Sequence, residues 1–202
     1  IENQPASKLW IQILVILSAL QRQTGQLETA QTTIEQALAL SQDISLNEVE
    51  VAEVKMTQIT NRYVKFRIQG NPTRADLQVL AAETQAILQV REQCIPDDRG
   101  AKAEAMNLLA KIYEVMGERS QAITLYRQAE SIAKPPHPNA ASARNNLAKA
   151  LEGVAEEQEV MQLYESAITI FHNAEVFGDE GWCLHNLGVF HASQGRIERA
   201  HI

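Results

Sequence analysis

The side chains best equipped for chemistry are few and lie near the C-terminal end: Cys183, His185 and His191, with His172 some way before them. A cysteine and a histidine can work as nucleophile and base, and several such groups can hold zinc, provided that they converge. Their spacing argues against convergence. Cys183 and His185 are two positions apart, so a helix points them in different directions, and His191 lies six beyond His185, off its face. His172 could approach only from a preceding helix. The sequence carries no G-x-G-x-x-G, no Walker loop and no H-E-x-x-H, so nothing calls for a nucleotide, a metal or another cofactor. Asp97 and Asp98 sit between Pro96 and Gly100, where a loop explains them. The expectation is a protein with no catalytic and no metal-binding residue.

Binding chemistry is better supplied. Asn107, Asn145, Asn146 and Asn186 carry side-chain amides, each offering donors and an acceptor, the combination that a peptide backbone requires. Lys111 stands three residues before Glu114, and Lys149 three before Glu152. Each pair is either an exposed intrahelical ion pair worth about a few tenths of a kcal/mol or a cation free to read a ligand carboxylate. Trp182 is an aromatic anchor or a plug against the preceding helices, whereas Trp10, within an apolar helix, is expected in the core or against a further unit upstream.

Composition decides what must position these groups. Of 202 residues, 45% are hydrophobic, 21% charged and only 5% aromatic, a mixture rich in Ala, Gln, Leu and Glu that favours helices over sheet. A net charge of −7 makes a nucleic-acid backbone an unsuitable partner. From Ala150 to Gly195 there is no Lys or Arg, which reads as a solvated acidic face or a dock for a basic partner. Cys94 and Cys183 are isolated, so no disulfide framework is expected and a cytoplasmic setting is the default. The longest uncharged stretch, Leu9–Gln21, is too short to span a bilayer, and it fits the repeat below rather than a leader. The chain opens on Ile1 and stops at Ile202 shortly after Gly195, and reads as part of a longer protein.

Short breaks at Gly25, 43–45, 70–72, 96–100, Gly117, 135–138, Gly153, 178–181 and Gly195 separate segments with apolar residues at helical spacing. They predict helices at 7–23, 26–42, 46–69, 73–93, 99–116, 119–133, 138–152, 156–176, 179–194 and from 197, with Asn71 capping the fourth and Pro72 in its first turn. These form five antiparallel pairs, 7–44, 46–93, 99–134, 138–176 and 179–202, the last cut short. One pattern recurs in them: Leu17-Ser18, Gly25, Ala30, Ile34, Ala37; then Arg62-Tyr63, Gly70, Ala75, Val79, Ala82; then Leu109-Ala110, Tyr113, Gly117, Ala122, Tyr126, Ala129; then Leu147-Ala148, Leu151, Tyr164, Ala167; then Leu187-Gly188, Gly195, Ala200.

This spacing resembles the tetratricopeptide repeat, in which small residues let two helices approach to about 8–10 Å and larger ones fill the groove between turns. Ile11, Met56, Ala103, Ala141 and Gly181 as equivalent starts give periods of 45, 47, 38 and 40, longer than the usual 34 or so. Arg62 stands where Leu is usual, Val160 where Ala is usual, and the fourth copy has Ala155 at the turn glycine. The last three copies permit a narrower comparison. Ala141-Ser142-Ala143-Arg144-Asn145-Asn146-Leu147-Ala148, preceded by His137-Pro138-Asn139, resembles the repeat boundary of kinesin light chains and the bacterial proteins that share this repeat subtype. His185-Asn186-Leu187-Gly188 and 106–110 echo the same phrase.

The resemblance implies a right-handed α-solenoid whose first helices line a concave groove that holds extended peptide. It places Asn107, Lys111, Asn145, Asn146, Lys149, Trp182, His185, Asn186 and Val189 on that groove. Neighbouring first helices about 10 Å apart would match roughly three extended residues. Carboxylate-reading clamps exist among tetratricopeptide proteins, but their full set of basic and Asn positions is not reproduced here. The function expected is a non-catalytic scaffold binding a peptide or protein segment. The alternative is a sensor or autoinhibitory arm of a larger signalling ATPase or protease-containing regulator. No nucleic-acid or membrane partner is expected. Self-association through the Leu9–Leu20 helix or the C-terminal end is the remaining possibility.

Overall fold

The computed structural model describes residues 4–70 and 72–196. Over these the chain is all-α, with nine helices and no strand: α1 Gln4–Gln23, α2 Leu27–Gln42, α3 Glu48–Gln69, α4 Arg74–Cys94, α5 Arg99–Val115, α6 Arg119–Ala133, α7 Pro138–Leu151, α8 Glu157–Asn173 and α9 Phe177–Ser193. The predicted tenth helix and Ala200 lie outside the described residues. The helices group into two compact units, residues 1–97 and 98–202.

In the second unit the helix pairs close on alanine. Ala103 and Ala110 of α5, and Ala122 and Ala129 of α6, are fully buried, as are Ala148 of α7 and Ala167 of α8. With no side chain beyond Cβ at these points, paired helices come together closely and Tyr126 and Tyr164 fill the space that remains. A buried phenol needs a partner. Tyr126 donates to Glu114 Oε2 at 3.0 Å, and Tyr164 donates to Glu152 Oε1 at 2.6 Å. In each case the hydroxyl of the second helix ties down the end of the first. Gly117, at φ +81°, makes the α5–α6 turn in the left-handed region that disfavours any side chain.

The α7–α8 turn corrects the sequence reading. It does have its glycine, Gly153 at φ +75°, but two residues earlier than expected. Val154 and Ala155 are inserted between that glycine and the start of α8. Val160, in place of Ala, is buried and accommodated. Helix α8 stops at Asn173, short of the predicted 176, because Glu175 turns left-handed at φ +58°.

The first unit departs further. Ala75, Val79 and Ala82 all face solvent. The residues that bury α4 are Leu77, Leu80, Ala81, Thr84, Ile87, Leu88 and Arg91. Thus Leu77, Ala81 and Thr84 hold the places that Ala122, Tyr126 and Ala129 hold in α6, a shift of two positions. Gly70 is extended rather than left-handed. Asn71 lies outside the described residues and Pro72 precedes the helix. The cap is Thr73, whose hydroxyl accepts from Asp76 N at 3.2 Å while the Asp76 carboxylate accepts from Thr73 N at 3.0 Å. That reciprocal box satisfies two otherwise unpaired donors. Trp10 is 52% exposed and not in the core.

A polar knot ties this unit together. Ser18 of α1 is fully buried and donates to Ala30 O of α2 at 2.8 Å. Buried Asn61 of α3 donates to Ser18 Oγ at 2.8 Å and to Ala30 O at 3.2 Å, and accepts from Arg22 Nη1 at 2.9 Å. Every polar atom of the Asn61 side chain is thereby used, linking three helices. Asn61→Ala leaves the Ser18 hydroxyl and the Arg22 guanidinium short of a partner. It is expected to lower the stability of this unit by about 1–3 kcal/mol in urea unfolding. A loss below about 0.5 kcal/mol, within the range of neutral surface changes, would show that the knot adds nothing.

Candidate functional site

In the second unit α7 packs against both α5 and α9, which sets the first helices of successive pairs side by side. Two locks fix this register at the start of α7. His137, its N-cap, accepts from Asn139 N through Nδ1 at 3.1 Å, and Pro138 occupies the first turn. Asn139 Nδ2 then donates to Gly100 O at 2.8 Å, and Asn107 Nδ2 donates to Asn139 O at 3.3 Å. A Cβ on Gly100 would stand 2.7 Å from His137 Nε2, so a side chain there would displace the imidazole. The far end of α7 is held by Arg119, whose Nε donates to Ala150 O at 2.6 Å and whose Nη2 donates to Glu152 O at 2.5 Å. These carbonyls would otherwise end the helix unpaired.

The expected groove residues fall into two classes on this scaffold. Asn107 and Asn145 are buried, and they hold structure in place. Asn107 is committed to α7 through its donor, with Oδ1 lacking a hydrogen-bond partner. Asn145 sits in the middle of an amide chain: Asn186 Nδ2 of α9 donates to Asn145 Oδ1 at 3.0 Å, and Asn145 Nδ2 donates to Asn146 Oδ1 at 3.4 Å. Asn146 and Asn186 are half-buried at the surface. Beside them Trp182 is 61% exposed, its ring 5.5 Å from that of exposed His185 and tilted by 30°. Val189 is exposed one turn further along α9. The indole is thus an exposed platform braced by an imidazole, not a plug.

The chemistry left open is specific. Asn146 Nδ2 is a donor, and Asn186 Oδ1 an acceptor, without a partner among the described residues. One free donor and one free acceptor, orientated by a buried amide between them, match the C=O and N–H of an extended backbone. Lys149 is exposed close by. Its anticipated partner Glu152 instead accepts the Tyr164 hydroxyl, and Glu114 likewise accepts that of Tyr126. Lys111 is half-buried and engaged.

Part of the acidic surface has partners: Glu157 pairs with Arg196, Glu159 with Arg127 at 3.8 Å, and Glu180 lies 3.1 Å from His172 Nδ1. Cys183 is buried beneath the Tyr164 carbonyl, and burial pushes its thiol up to about 12. Among the described residues no group of three His, Cys, Asp or Glu is placed to hold a metal ion, and no helix is long and apolar enough to cross a membrane.

One feature escaped the sequence reading. The first unit has a cleft of about 410 Å³ between α3 and α4, lined by Leu46, Val51, Ile59, Ile87 and Val90 with Lys55 and Glu83 at its polar edge. Beside it Arg62 bonds Glu83 at 2.6 Å across the two helices.

The cysteines give a direct check. Alkylation of the native protein at about pH 8 is expected to label exposed Cys94 and spare Cys183, with both labelled once the chain is unfolded. Cys94 should react faster as pH rises further, since partial desolvation and the nearby Glu48 carboxylate raise its thiol. Native labelling of Cys183 would contradict the packing beneath Tyr164.

Comparison with known proteins agrees with this architecture. Residues 105–136 match the tetratricopeptide repeat family. The fold is similar to that of BtubC (BKLC) from P. vanneervenii, with a TM-score of 0.65 at 16% identity over 96% of this chain and 76% of that one. It is similar also to a Podosopora anserina kinesin light chain protein of nearly identical TPR-like repeats. One crystal structure of that protein, of a variant form, gives a TM-score of 0.64 at 17% identity over 99% of this chain and 92% of that one. A second gives 0.62 at 16% over 94% and 89%. Identities this low establish the fold alone, an all-α fold of tetratricopeptide-like helix pairs. No curated protein matches the sequence.

Proposed function

We propose that the α7–α9 face of the second unit binds an extended peptide or protein segment, without a chemical step. The observation that carries this reading is the amide chain Asn186–Asn145–Asn146, which ends in one free acceptor and one free donor beside the exposed Trp182–His185 stack. Repeat arrays present such surfaces to partner proteins. Here backbone contacts would come from Asn146 and Asn186, an apolar or aromatic side chain would rest on Trp182, and Lys149 would favour a carboxylate nearby. Asn107 and Asn145 act from beneath by fixing the register of α5, α7 and α9. Lys111 stands at the edge of this face.

Peptide-library display against the protein tests the reading. A selected consensus peptide is expected to lose at least about tenfold in affinity, about 1.4 kcal/mol, with Trp182→Ala and again with Asn146→Ala/Asn186→Ala. Trp182→Ala alters an exposed residue alone, whereas Asn186→Ala also removes the donor to buried Asn145, so both variants are compared with the wild type by circular dichroism and thermal unfolding. Failure to select any peptide, or affinity unchanged in both variants, overturns the proposal.

A further inference from the structure

Helix α1 is apolar on both faces. Ile11, Leu14 and Ser18 bury one side against α2 and α3, whereas Leu9, Trp10, Ile13, Ile16, Leu17 and Leu20 on the other are between 42% and 60% exposed. A helix that is hydrophobic all round is normally covered all round. We propose that a second copy of this chain covers it, through an antiparallel, two-fold pairing of α1 with α1. This inference uses no residue of the α7–α9 face and stands apart from the peptide-binding reading.

Three observations select this occupant. First, the exposed seam Leu9, Ile13, Ile16, Leu20 has steps of four, three and four, the alternation of a helix-pairing seam. That order reads the same in both directions, as an isologous contact requires, because each side must present the same surface to the other. Antiparallel pairing sets Leu9 against the second copy's Leu20, and Ile13 against the second copy's Ile16. Trp10 and Leu17 flank this seam on the same side, so the two-fold brings Trp10 beside the second copy's Leu17.

Second, no charge opposes its symmetry mate. The residues between Leu9 and Gln21 are uncharged, and the two basic residues of the helix are drawn to their own chain. Lys8 bonds the Glu50 carboxylate at 3.0 Å and Arg22 bonds Asn61 Oδ1 at 2.9 Å. Third, the area suffices. Six large apolar side chains about half exposed offer roughly 600 Å² per chain and roughly 1,200 Å² per pair, the lower end of specific interfaces.

Sedimentation equilibrium and light scattering of the full chain over about 1–200 μM test the pairing, since a dimer at this area is concentration-dependent. The expected mass at the upper end is twice the 22.5 kDa of one chain. Ile16→Glu should return it to one chain with unchanged circular dichroism, because that side chain is 60% exposed and not part of the fold. Orientation is read by oxidative cross-linking in a Cys94→Ser background. Chains carrying Ile13→Cys should couple to chains carrying Ile16→Cys in preference to their own kind. A monomer throughout, a dimer that survives Ile16→Glu, or preferential coupling of Ile13→Cys with itself each overturns the proposal.

Discussion

The close approach of paired helices through alanine is the constraint on which the second unit depends. With Ala110, Ala122 and Ala129 fully buried, and Ala148 and Ala167 repeating the arrangement, the helices leave limited room between them for a large side chain. Tyr126 and Tyr164 take that room. Their hydroxyls then require acceptors, and Glu114 and Glu152 provide them. The chain of consequence reaches the surface, because a Glu152 engaged by Tyr164 leaves Lys149 exposed beside Asn146. A packing requirement deep in the helix pairs thereby shapes the charge presented at the candidate site.

The first unit meets the same need with different means. Ser18 supplies the small side chain, and its hydroxyl is absorbed with Asn61 and the Ala30 carbonyl into a closed network. Polar contacts of this kind are exacting, since each member is costly if its partner is lost. They fix the register of α1, α2 and α3 more narrowly than alanine contacts alone would. The second unit also uses polar contacts between one helix pair and the next: Asn139 and Arg119 hold backbone carbonyls, and Asn186 and Asn145 join side chain to side chain.

Most of the helices were legible because their punctuation is local. Gly25, Gly117 and Gly195 all adopt the left-handed turn that their place in the repeat implies, and Pro138 opens α7 as the boundary phrase suggests. What could not be read depended on tertiary contact. Ala75 and Ala82 have the spacing of a small-residue face, yet the helix turns Leu77, Leu80, Ile87 and Leu88 inward, because larger residues bury more apolar area there. The inserted Val154–Ala155 displaced the turn glycine by two positions. At the candidate site the residue types were legible but their division of labour was not. Asn145 and Asn146 are adjacent and identical in kind, and only the position of α9 makes the first a buried bridge and the second a surface donor.

The central claim is that a peptide lies against Asn146, Asn186 and Trp182, and side-chain NMR tests it most directly. The chain has two tryptophans, so the indole N–H of Trp10, on α1, is an internal control for that of Trp182. Titration with a bound peptide should shift the Trp182 indole and the Asn146 and Asn186 amide resonances while leaving Trp10 unmoved. Shifts confined to residues of the α3–α4 cleft, with Trp182 and both amides unchanged, would contradict the account.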